Sequence, residues 1–235
     1  MKKLIIFDID GTLLYSNKID SQCFADTYQQ IYNKVFPTID WAEYPHVSDD
    51  TIFKTVIKDH FKRVPDESEM EQFKNAFVHL IQTKRKIRPQ DFREVKNSRK
   101  TVELLLADSC YEVGIATGGW RQPAMVKLQH IKVPTDTLHM SFADGNPTRE
   151  AIIQGVFEQT DALKLQFEKI VYVGDAPWDV RTTRNMNLPF VGVRREGDFD
   201  KLRKLGADTI IADYSNFDQF LEAIETAEVP RKVLV

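Results

Sequence analysis

The feature that most constrains this chain lies at its start. Leu4 to Phe7 form an uninterrupted apolar run, LIIF, and Asp8 and Asp10 follow at once, with Gly11 and Thr12 behind them. Such a run, without polar alternation, fits a strand covered on both faces in a parallel sheet. Asp8 and Asp10 fall where that strand leaves the core. Because strand side chains alternate, positions 8 and 10 point to one side, so their two charges repel unless something positive sits between them.

The later part of the chain carries the rhythm a parallel sheet requires. From about Val95, helix-like SRKTVELLLADS precedes the strand YEVGIAT, then helix-like QPAMVKLQHI precedes the short apolar stretch LHMSFA. The alternation continues through REAIIQGVFEQT, the strand KIVYVGD, helix-like VRTTRNM, the strand FVGVRR, the helix KLRKLGA, the strand DTIIAD and a last helix near Phe217 to Glu225. From about Ser16 to Glu94 the chain is polar-rich, helical in period and broken at Pro37, Pro45, Pro65 and Pro89. The expectation is an α/β fold: a doubly wound parallel sheet built from residues 1–15 and 95–235, with residues 16–94 inserted as a helical unit. A site belongs at the carboxyl ends of the strands.

Composition narrows the function. A formal net charge of −3 gives no broad basic field, so neither nucleic acid nor a membrane surface is expected as a partner. Cys23 and Cys110 lie far apart without a CxxC partner, which argues against zinc or a disulfide framework and fits ordinary buried thiols in a reducing compartment. The opening MKKLIIF resembles the start of a secretory signal, but Asp8 interrupts it too early, and no other run is long enough to span a bilayer; the cytoplasm is the expected location.

The residues after the other strands are also unusual. IATGGW leaves Thr117 a hydroxyl at a strand edge, and Gly118 and Gly119 offer little bulk to block a ligand, with backbone N–H groups near a helix start as an anion seat. VGDAPWD places Asp175 at a strand exit and Asp179 one helical turn on, where a cap is the simpler role for an isolated Asp. Arg149 opens a helix after Pro147, against the dipole, and so calls for an anion. Together, Asp8, Asp10 and Asp175 offer oxygens to a hard divalent cation, magnesium. Thr117, the glycine N–H groups and Arg149 then face the oxygens of a transferring phosphoryl group.

With these residues the chain resembles the haloacid dehalogenase superfamily of phosphohydrolases. DIDGT at 8–12 is similar to its first motif DxDGT, Thr117 to the second, and GDAPWD at 174–179 to the fourth, GDxxxD. The resemblance implies that Asp8 is a nucleophile forming an aspartyl-phosphate, and that Asp10 protonates the leaving oxygen and later activates water. It also implies that Asp175 binds magnesium with Asp8 and the Asp10 backbone carbonyl, and that Asp179 orients neighbouring charges. The third motif, usually Lys, is assigned to Arg149 in PTREAI; Lys127 and Lys164 are rivals that helical periodicity places on solvated faces. The insert matches in position a helical cap that closes over substrate. Within it, HVSDDTIFK resembles a GxTDxxI-type segment, so Ser48, Asp49 and Thr51 either face substrate or, in the case of Ser48, cap a helix.

The implied activity is hydrolysis of a phosphate monoester of a small metabolite. A phosphomutase uses the same core residues, and a catalytically silent relative that binds a phosphorylated ligand or a protein is the alternative from another class. A dehalogenase or phosphonate hydrolase is disfavoured by Asp10.

Overall fold

A computed structural model describes residues 2–233 of the chain. In chain order the elements are β1 (Lys2–Phe7), β2 (Leu14–Tyr15), α1 (Asn17–Tyr32), α2 (Asp49–Phe61), α3 (Glu67–Ile87), β3 (Arg93–Glu94), α4 (Ser98–Ala107), β4 (Tyr111–Ala116) and α5 (Arg121–His130). They continue with β5 (His139–Ser141), α6 (Arg149–Ala162), β6 (Phe167–Gly174), α7 (Pro177–Asn185), β7 (Phe190–Val193), α8 (Asp200–Arg203), β8 (Ile210–Ile211) and α9 (Phe217–Thr226).

The main sheet has the order β5-β4-β1-β6-β7-β8, with every pairing parallel. Leu4 to Phe7 are completely buried at its centre, as an apolar run flanked by strands on both sides must be. From β1 the chain moves outward through β4 and β5, then returns to lay β6 against the other edge of β1. The strand order therefore reverses at β1, and the crevice beyond the strand ends opens there. Register fixes what meets in that crevice: Phe7 lies opposite Ile115 of β4 and Val173 of β6, so the residues that follow each strand emerge side by side.

The chain leaves this core through β2 and returns through β3. These two short strands pair antiparallel, Leu14 with Glu94 and Tyr15 with Arg93, forming a two-stranded link to α1, α2 and α3. Local chemistry sets the helix starts: Ser48 accepts the N–H of Thr51 at 3.4 Å, and Asp66 accepts that of Glu69 at 2.8 Å. This helical cap has its own aromatic centre, in which Phe24 meets Phe73 at 5.0 Å and Phe77 at 5.4 Å between ring centroids. Trp120, from the core, enters it fully buried and stacks on Phe24 at 5.7 Å.

Three expectations are modified. The strand at DTIIAD shortens to Ile210–Ile211, an edge strand paired only with β7, and the helix at KLRKLGA to Asp200–Arg203, with the left-handed Gly206 (φ +96°) in the turn that follows. Cys23 is buried, but Cys110 is exposed in the turn before β4. Among the described residues no helix is long and apolar enough to cross a membrane.

Since Trp120 fills the cap interior from the core side, Trp120→Ala is expected to destabilise the protein by about 3–5 kcal/mol. Urea denaturation measures this, and a change below about 0.5 kcal/mol would show that the stack is not holding the two parts together.

Candidate active site

Asp8 leaves the end of β1 with its backbone N–H bonded to the carbonyl of Val173 at 2.9 Å and its side chain only 4% exposed. Arg149, at the first position of α6, reaches it: one guanidinium nitrogen donates to Asp8 Oδ1 at 3.2 Å, to the hydroxyl of Tyr172 at 2.9 Å and to Asp179 Oδ1. The Tyr172 hydroxyl donates onward to the carbonyl of Ala116 at 3.0 Å, so the guanidinium is held from β6 and β4 at once. The anion that Arg149 requires is thus supplied by two buried carboxylates. Asp179 serves a second purpose, its Oδ2 accepting the N–H of Ala176 at 3.0 Å at the start of α7. Holding Arg149 and capping α7 are thus combined in one side chain.

Asp8, Asp175 and Asp179 each offer an oxygen within 4.8 Å of the others, all three buried. Asp175 Oδ1 has no hydrogen-bond partner, a costly state for a buried oxygen. Its other oxygen faces Gly11, whose φ of +85° is left-handed and where an added Cβ would lie 2.1 Å from it. Only glycine lets the carboxylate into this place. Burial, with Asp179 and Asp8 nearby, raises the Asp175 carboxyl well above the ordinary range, and Arg194, at 3.5 Å, opposes this only in part. Burial likewise pushes Asp8 up to about 7, against the pull of Arg149. Crowded oxygens with an orphaned lone pair fit a hard divalent cation, which restores the ionised forms.

Asp10 turns away from this cluster. Its carboxylate is gripped through both oxygens by the Lys127 ammonium, at 2.8 and 2.7 Å, and accepts from the Ser16 hydroxyl. The carboxyl groups of Asp8 and Asp10 therefore have a cation each. Lys127 is 1% exposed, which overturns the solvated face that helical period suggested; α5 turns this position into the core beneath the cap. Asp10 and Asp20 together outweigh the burial that disfavours its charge, and its pKa is raised. Lys164 is exposed beyond the end of α6.

The loop after β4 seats the cap. Thr117 is buried, and its hydroxyl accepts the Gly119 N–H at 3.3 Å. The Gly118 carbonyl accepts the backbone N–H of Asp49 at 2.8 Å, and the Trp120 N–H donates to the Asp49 carboxylate at 2.9 Å. A Cβ on Gly118 would lie 2.6 Å from both Arg149 and the Val47 carbonyl, so the loop passes between cap and guanidinium only as glycine. Beneath the cap lies a cavity of about 120 Å³, lined by Asp8, Asp10, Thr117, Gly118, Gly119 and Arg149 from the core and by Asp20, Trp41, Ser48 and Asp49 from the cap. Ser48 thus both caps α2 and borders the cavity.

Sequence reasoning missed Tyr172 and Asp20, and it named Lys127 only as a rival third-motif cation on a solvated face, not as the partner of Asp10 and Asp20. A tyrosine inside the apolar run KIVYVG was a signal, because a buried hydroxyl seeks a partner. The other two form a pair only across the fold.

A family model described as haloacid dehalogenase-like hydrolase matches residues 5–193, and the chain belongs to that family. No curated protein matches the sequence. Solved structures share the fold at low identity. A hydrolase from Pseudomonas syringae has a TM-score of 0.70 at 15% identity, covering 94% of this chain and 98% of that one. The β-phosphoglucomutase of Clostridium difficile has 0.68 at 16%, covering 96% and 98%. A predicted phosphoglycolate phosphatase from Haemophilus somnus has 0.60 at 16%, covering 94% and 98%.

Two outcomes follow from this charge arrangement. Arg149→Ala strands Asp8 and Asp179 and is expected to lower stability by about 3–5 kcal/mol, whereas Lys100→Ala on the exposed face of α4 changes it by under about 0.5 kcal/mol. Equal losses in chemical denaturation would contradict the burial of that charge. In metal-free protein, folded Asp8 keeps a proton that the unfolded chain has released between its ordinary value and about 7. Stability should then fall as pH rises through that window, and magnesium chloride should raise the thermal midpoint more at pH 7.5 than at pH 5. A pH-independent increment would contradict metal binding at Asp8.

Proposed function

We propose that the protein is a magnesium-dependent phosphohydrolase that cleaves a phosphate monoester of a small metabolite through an aspartyl-phosphate at Asp8. The observation that carries this reading is the position of Asp8: it stands at the end of the central strand, beside Arg149 and Asp175, and borders the cavity beneath the cap. An Asp8 oxygen attacks phosphorus in line with the ester oxygen, the bond to that oxygen breaks, and Asp10, which enters this step in its protonated form, gives the departing oxygen that proton and is left as the carboxylate. Asp10 then takes a proton from water, whose oxygen attacks the same phosphorus; inorganic phosphate leaves and Asp8 is restored. Thr117, Gly118, Gly119 and Arg149 hold the phosphoryl oxygens while charge develops on them. Asp8, Asp175 and the Asp10 backbone carbonyl would hold magnesium, which would supply the positive charge that such oxygens need, and Asp179 keeps Arg149 oriented.

The cap argues for a small substrate. The cap residues Asp20, Trp41, Ser48 and Asp49 border the part of the cavity next to Asp8, about 120 Å³, which has room for a phosphoryl group. We take residues 16–94 to be the cap domain and residues 1–15 with 95–235 the catalytic core, with the β2–β3 pair as the hinge between them. The two unpaired cysteines support a cytoplasmic setting. The phosphatase and phosphomutase names among the structural neighbours belong to those proteins, and at their identities they bear on the fold alone.

A panel of phosphorylated small metabolites, assayed for released phosphate with and without magnesium, tests the reading. Release is expected to depend on magnesium and to fall at least ~10³-fold in Asp8→Asn. Undiminished turnover in that variant would remove Asp8 as nucleophile, and conversion of a sugar phosphate without phosphate release would make the protein a mutase.

A further inference from the structure

Lys127 is a buried cation that the phosphoryl chemistry does not use. It stands on α5, 1% exposed, behind the cavity wall rather than in it. Its ammonium meets three carboxylate oxygens: it hydrogen-bonds both oxygens of Asp10 and forms an ion pair with one oxygen of Asp20. Asp10 belongs to the core loop after β1, and Asp20 to α1 of the cap. Both line the cavity. The single charge therefore ties Asp10 at the cavity wall to the first helix of the cap, while Ser16, just before α1, donates to Asp10 Oδ1.

Burying a lysine with two carboxylates is expensive, and an apolar side chain of similar volume would pack under the cap at less cost. What the ammonium adds is direction. It fixes both oxygens of Asp10, and it keeps the neighbouring carboxylate of Asp20 from driving Asp10 aside. Resting on the phosphohydrolase reading above, we infer that Lys127 is a positioning residue for Asp10, and that Asp20 makes this placement conditional on the cap being seated. When α1 moves away, one of the three contacts goes with it.

The experiment uses the full-length protein and the best substrate of the phosphate-release panel. Lys127→Met is expected to lower kcat by about 10–100-fold, the penalty of a misplaced catalytic group, with KM within about threefold because Lys127 does not touch substrate. Asp20→Asn, which keeps the lysine, should lower kcat less. The double variant should exceed Lys127→Met alone, since removing the second charge relieves the repulsion on Asp10. A merely structural ion pair predicts lower thermal stability with unchanged kcat in the folded fraction, and no recovery in the double variant. If Lys127→Met does not fold, Asp20→Asn alone decides: wild-type kcat there overturns the inference. Turnover that vanishes in Asp8→Asn but survives intact in Lys127→Met defeats this inference and leaves the phosphohydrolase reading standing; a wild-type protein that releases no phosphate defeats both.

Discussion

The structure depends on an excess of buried negative charge at one sheet edge. Asp8, Asp175 and Asp179 crowd together beyond β1 and β6, with Asp10, Asp20 and Asp49 around the same cavity. Two buried cations answer them, Arg149 from α6 and Lys127 from α5. The balance is incomplete: burial raises Asp8, Asp175 and Asp49 above their ordinary values, and Asp175 Oδ1 is left without a donor. A cation seated among Asp8, Asp175 and Asp179 would complete it, and under the proposed phosphohydrolase reading the same positive charge would serve a phosphoryl group. Stability and chemistry draw on one electrostatic arrangement.

That arrangement also explains the close backbone approaches. Gly11 admits the Asp175 carboxylate, and Gly118 passes between Arg149 and the cap. Beside Gly118, Trp120 carries the loop into the aromatic interior of the cap, while its N–H and the Gly118 carbonyl hold Asp49. A loop of four residues, Thr117 to Trp120, therefore serves both halves of the molecule: it lines the cavity with Thr117 and anchors the lid with Trp120. The seating of the cap and the lining of the cavity are joined, because the cap helices cannot separate from the core without breaking contacts made by residues that border the cavity.

Much of the fold was legible because it is written in local periods. The apolar run of β1, the helical stretch after it and the βα alternation beyond Val95 each reflect burial of neighbouring residues. The weaker edge elements were overestimated: β8 pairs only with β7, and the turn at Gly206 follows α8. The β2–β3 pair was invisible: its two strands have two residues each and are distant in the chain, and neither has a pattern of its own.

The sequence by itself determined which residues follow the strand ends, Asp8, Asp10, Thr117 and Asp175, with Asp179 one helical turn further on, because a strand's exit is set by where its apolar run stops. Arg149 could be singled out as well, by its conflict with the helix dipole. Tertiary structure alone decided who partners whom. Lys127 and Asp10 are 117 positions apart, and period placed the lysine on the wrong face because α5 is covered by the cap, which no local pattern records. Tyr172 behind Arg149, Asp20 beside Lys127 and Trp120 inside the lid follow the same rule: a buried polar or aromatic group takes its meaning from neighbours that only the folded chain brings within reach.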